Sequence, residues 1–145
     1  MTMFDDKKYI RIGHFDNFKG ENSILISTDI HGLLELENIF LKLSNGLHDF
    51  DFSTLQHLDK NFRINLKAHI DKDNIGLIQV SSDKYDWRLN SQKWGEFQEK
   101  LTAMYRLGNN GHHFLDSNSK ENRELQVIFS WNEYDLKFWK HNTNG

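Results

Sequence analysis

Phe62-Arg63-Ile64-Asn65-Leu66-Lys67-Ala68-His69-Ile70 carries an apolar side chain at every even position and a polar one at every odd position. Side chains on an extended strand point alternately to its two faces, so this period predicts a strand with one buried and one wet face. Similar alternation runs through Tyr85, Trp87 and Leu89 and through Leu125, Val127, Phe129 and Trp131. Shorter β-rich runs at 9–15, 23–28 and 75–81 each end in Asp, Asn, Gly or Ser clusters. Wet faces in most of these runs argue for antiparallel strands covered on one side, against a doubly wound parallel sheet.

Two segments break the period of two. Between 29 and 44 the apolar residues Leu33, Leu36, Phe40 and Leu43 recur at helical spacing, as do Trp94, Phe97, Leu101 and Met104 between 91 and 107. Thr28 or Asp29 can cap the first helix and Asn90 or Ser91 the second. Asn45-Gly46 and Gly108-Asn109-Asn110-Gly111 supply residues that tolerate the left-handed backbone at the exits.

Laid end to end, the halves repeat as two strands, a helix, a short strand (47–52 or 111–116) and a longer strand (62–70 or 124–134). Trp94 follows Leu33 by 61 positions (94 − 33), whereas His112 follows His48 by 64 (112 − 48), so the second helix or its exit is longer. The expected fold is α+β: two tandem ββαββ units, pseudo-repeats over roughly 8–71 and 74–139, in a mainly antiparallel sheet with both helices packed on one face. Its expected core includes Leu33, Leu36, Phe40, Ile64, Leu66, Ala68, Trp87, Phe97, Leu101, Val127 and Phe129.

Composition narrows the function. A chain of 145 residues suits one domain, 1–145, and its 37% hydrophobic and 13% aromatic content can fill a core. Without cysteine there is no disulfide, thiolate zinc site, iron–sulfur cluster or cysteine nucleophile. The net charge of −3, from 18 basic against 21 acidic residues, supplies no broad basic field for a phosphate backbone, which argues against nucleic acid. No window reaches the roughly 18 apolar residues that a membrane span needs. The start, Met1-Thr2-Met3-Phe4-Asp5-Asp6-Lys7-Lys8, lacks a secretory apolar stretch, so a cytoplasmic protein is expected.

The candidate chemistry lies after each helix, in Gly46-Leu47-His48-Asp49-Phe50-Asp51 and Gly111-His112-His113-Phe114-Leu115-Asp116. Imidazole beside carboxylate suits a metal or acid–base site at His48, His112 and His113. On a strand, however, His48 and Asp49 point to opposite faces, as do His112 and His113, which favours surface histidines at strand starts. Phosphate-loop, nucleophile-elbow and HExxH signatures are missing from the sequence. The aromatics of the second half interleave with both signs of charge and read as core. Phe138 and Trp139, flanked by Lys137 and Lys140, suit either a core seal or a partner interface.

Ser27-Thr28-Asp29-Ile30-His31-Gly32-Leu33-Leu34-Glu35-Leu36, followed by Gly46-Leu47-His48-Asp49-Phe50-Asp51, resembles a family of small bacterial immunity proteins of polymorphic toxin systems. That family's pattern has a Gly-Leu-Leu-x-Leu helix start and a His-rich strand with a terminal Leu-Asp. Gly111-His112-His113-Phe114-Leu115-Asp116 is similar, whereas the second helix start, Asn90-Ser91-Gln92-Lys93-Trp94-Gly95, departs from the pattern. The resemblance implies a non-catalytic cytoplasmic protein that neutralises a toxin domain by binding it, with no catalytic residues to carry over; no cofactor is expected. The alternative is a metal-binding protein or small enzyme built on the histidine segments. A protein partner, with a homodimer left open, is expected on the wet strand faces at Arg63, Lys67 and Arg88 and at Trp139, because Arg and Trp anchor specific interfaces.

Overall fold

A computed structural model describes residues 8–108, 110–117 and 123–142. Its elements in chain order are β1 (Ile10–Phe18), β2 (Glu21–Thr28), α1 (Ile30–Ser44), β3 (Asp49–Asp51), a 3-10 turn (Phe52–Thr54), β4 (Asn65–Ile70), β5 (Gly76–Ser81), β6 (Lys84–Leu89), α2 (Ser91–Leu107), β7 (Gly111–Phe114), β8 (Gln126–Trp131) and α3 (Leu136–Asn142). The start of the sequence through Lys7 and the exit residue Asn109 lie outside the described residues.

Both long helices begin on the expected caps. The Asp29 carboxylate accepts the Gly32 N–H at 2.9 Å, and the Asn90 side-chain oxygen accepts the Lys93 N–H at 2.8 Å, each satisfying a donor the first helical turn leaves open. At the exits Gly46 and Gly108 have positive φ, 112° and 74°. α2 has 17 residues against 15 in α1, which accounts for part of the drift in the repeat.

The order strand-strand-helix-strand-strand occurs twice, but the halves do not build separate units. Two four-stranded sheets have the orders β1-β2-β8-β7 and β3-β4-β6-β5, so each sheet combines two strands from either half. The outer pairings are antiparallel, whereas the central pairs β2/β8 and β4/β6 are parallel. This corrects the expectation of antiparallel central strands and of tandem, self-contained units. Registers match across the sheets: Ser23 stands opposite Gln126, and the positions 61 further on and 61 back, Lys84 and Asn65, also stand opposite each other. The helix caps Asp29 and Asn90 keep that offset of 61 (90 − 29).

Burial explains why alternation misreported strand direction. Residues 23–28 of β2 are buried on both faces, as parallel strands under cover are. In the other sheet β4 and β6 keep a wet face, and their alternation looks the same whether the neighbour runs parallel or antiparallel.

The inner faces of both sheets and the apolar stripes of α1 and α2 form one cluster. Trp87 sits at its centre, 5.8 Å from the Phe40 ring and 5.1 Å from that of Trp94, edge-on to both. Every expected core residue is buried there, except that Ile64 is partly exposed. Residues 62–64 stand outside the ladder because the Phe62 carbonyl accepts the Ile12 N–H at 2.8 Å, tying this end of the stretch to β1 in the other sheet.

A second cluster, Phe15, Leu25, Ile128 and Trp139, lies on the outer face of the β1-β2-β8-β7 sheet. α3, which the sequence reading did not anticipate, supplies Trp139 to it; helices therefore cover this sheet on both faces, correcting the expectation of one covered face. Among the described residues no helix is long and apolar enough to cross a membrane.

Candidate functional site

With α3 over one sheet, the polar face of the β3-β4-β6-β5 sheet is the open one. β4 turns Leu66 and Ala68 inward and Asn65, Lys67 and His69 outward; β6 turns Tyr85, Trp87 and Leu89 inward and Lys84, Asp86 and Arg88 outward. Strand pairing then orders the charges into rows. Asp51, Lys67 and Asp86 stand side by side across three strands, and Asp49, His69 and Arg88 form the next row.

Each basic side chain in these rows has a carboxylate beside it. Arg88 lies 3.3 Å from Asp86 and 3.7 Å from Asp71, and His69 Nε2 lies 3.4 Å from Asp86. The Asp51 carboxyl is held below its ordinary range, chiefly because it accepts the Ser53 N–H at 2.9 Å; Lys67 and Arg63 add to this, while partial burial works against it. Exposed pairs of this kind contribute little to stability, about 0–1 kcal/mol each. Their fixed pattern is a feature a complementary surface can read. Asp51, Lys67, His69, Lys84 and Asp86 also line an open cleft of about 550 Å³.

The structure separates the four expected partner residues. Lys67 and Arg88 share this face, and Arg63 stands exposed on the segment leading into β4, outside the strand that was expected to hold it. Trp139 is elsewhere and fully buried, with its six-membered ring against Gly13 and its rings 5.3 Å from Phe15 and 5.7 Å from Phe62. It seals the second cluster and offers no surface to a partner, which corrects its assignment to an interface.

The histidine segments are also parted. His48 precedes β3 in one sheet, whereas His112 and His113 lie on β7 in the other. His112 Nδ1 is 3.2 Å from Glu133, while His113 stands opposite Phe129. Burial, then Lys100 and His112, lowers the His113 pKa below its usual value. Strand exchange therefore removes the geometric basis for one site made of His48, His112 and His113. Among the described residues no group of three or more His, Asp or Glu side chains is placed to hold a metal ion.

Sequence reasoning missed a buried cation. Arg11 is 2% exposed on β1, with its Nε donating to Asp59 at 2.9 Å and its guanidinium 4.1 Å above the Tyr9 ring. In Ile10-Arg11-Ile12 it looks like an outward strand residue; its burial comes from the distant segment 57–62 and leaves no local signal. Comparison with protein-family models, curated proteins and solved structures found no match.

Proposed function

We propose that this chain is a non-catalytic protein-binding module of the bacterial cytoplasm, of the immunity type, that meets a toxin domain or similar protein on the open face of the β3-β4-β6-β5 sheet. The ordered rows Asp51–Lys67–Asp86 and Asp49–His69–Arg88 carry this reading, because they set acidic and basic side chains in a fixed register across paired strands. Charge patterns of this kind steer encounter and select partners more than they add raw affinity. The family resemblance around residues 27–51 supports the same reading. Equal register in the two sheets supports treating the halves as repeats of one ββαββ unit whose strands have been exchanged.

The test is a pull-down from the native host with wild-type protein, Arg63→Glu/Lys67→Glu and, as a helix-side control, Glu99→Lys. Glu99 is exposed on α2. A partner retained by wild type and Glu99→Lys but lost with the sheet-face variant is the expected result. Loss only with Glu99→Lys would move the interface to the helices and overturn the assignment.

A further inference from the structure

Beside the β1 edge, where segment 57–62 and α3 approach each other, an open cleft of about 570 Å³ is lined by Arg11, Lys8, Lys60, Lys140, Tyr9 and Asp59, among others. Four cations thus surround one carboxylate. Among the described residues Lys8, Lys60 and Lys140 form no ion pair, and only Nε of the Arg11 guanidinium is hydrogen-bonded.

Burying a guanidinium costs several kcal/mol before pairing offsets it, and it is offset well only when its donors are satisfied. A clamp for the neighbouring segment would justify that cost if nothing else held the segment. Backbone bonds already do: Ile10 N–H to the His57 carbonyl (2.8 Å), Asp59 N–H to the Ile10 carbonyl (2.9 Å) and Ile12 N–H to the Phe62 carbonyl (2.8 Å). Asp59 fixes Nε, and the face of Tyr9 fixes the plane of the guanidinium. A fork held at its base with its terminal nitrogens unspent is matched to two oxygens of one anion.

We infer that this cleft binds a small oxyanion carrying at least two negative charges, a phosphate ester or a polycarboxylate, with Arg11 as the bidentate anchor and Lys8, Lys60 and Lys140 as the surrounding charges. The cleft is built on β1, segment 57–62 and α3, and its anion reading does not rest on the proposed partner face, although Lys60 also lines a neighbouring cleft with Arg63.

Isothermal titration at fixed ionic strength in chloride, with inorganic pyrophosphate in one arm and citrate in the other, tests the site and distinguishes phosphate from carboxylate ligands. Saturable binding of at least one probe is expected. It should weaken by about tenfold or more in Lys60→Gln/Lys140→Gln, two exposed positions outside both apolar clusters, since each supplies a charge-assisted contact to the anion. Arg11→Lys, checked for folding by thermal unfolding, keeps the charge but removes the fork and should weaken binding further. Absence of saturable binding in both arms, or unchanged affinity in Lys60→Gln/Lys140→Gln, overturns the inference.

Discussion

His14 Nδ1 and Tyr85 Oη share a hydrogen bond at 2.7 Å, joining β1 of one sheet to β6 of the other. The two rings meet edge-on, 5.7 Å apart. Asp16 lies 3.5 Å from Nε2 of the same imidazole. Burial, with Asp16 adding to it, raises the Tyr85 pKa and keeps the hydroxyl protonated as a donor. Tyr85→Phe should therefore lower stability by about 1 kcal/mol, the usual net worth of a buried hydrogen bond with one partner left behind. Urea unfolding of Tyr85→Phe, His14→Ala and the double variant checks it. Additive effects would show that the two residues are not coupled across the sheets.

Two helical glycines, Gly32 and Gly95, should respond to alanine with opposite signs. Alanine in a helix is ordinarily better than glycine by about 0.5–1 kcal/mol. In the first turn of α1, however, a Cβ on Gly32 would run into the Tyr9 backbone oxygen and come within 2.9 Å of the Thr28 Cβ, contacts the backbone cannot cheaply yield. Gly32→Ala should thus cost about 1–3 kcal/mol, the usual penalty of overpacking. On α2 a Cβ at Gly95 would meet Ser44 Cβ at 3.5 Å, an ordinary contact. Gly95→Ala should stabilise by roughly 0.5–1 kcal/mol, because propensity acts there unopposed. Chemical denaturation of both variants decides the pair.

What could be read in advance was whatever is written locally. Asp29 and Asn90 each precede an apolar stripe and each caps it, and the inward residues of β4 and β6 follow directly from period two. Strand exchange is not written locally, since alternation at Leu66 and Ala68 reports which face is buried and says nothing about which strand lies alongside. The short α3 did leave a signal: Asp135 accepts the Phe138 N–H at 2.9 Å, an N-cap spacing just ahead of Leu136, Phe138 and Trp139. The apolar run Ile24-Leu25-Ile26 likewise marked a strand buried on both faces, which alternation elsewhere masked.

The strand β7 and the loop after it should give the protein a two-part pH dependence. His113 is half-buried, and burial with Lys100 and His112 beside it lowers its pKa from 6.5, so the folded state binds this proton less readily than the unfolded chain. Stability from this group is then present above 6.5 and is lost as pH falls through the lowered value. Asp116 runs the other way. Burial raises its pKa from 3.8, with Glu124 and Glu21 adding to this, although the Val127 N–H it accepts at 2.7 Å favours the charged form. The folded state therefore holds the Asp116 proton more tightly, and its contribution is full below 3.8 and lost as pH rises through the raised value. Asp116→Asn keeps an acceptor for Val127 without the buried charge, so it should be more stable than wild type at neutral pH, with the gain vanishing in acid. His113→Gln should match wild type near neutrality and hold its stability better as pH drops below 6.5. Unfolding free energies from urea titrations at several pH values test both. An Asp116→Asn advantage that persisted unchanged into acid would show that its effect is not electrostatic, and equal pH slopes for wild type and His113→Gln would remove the imidazole from the account.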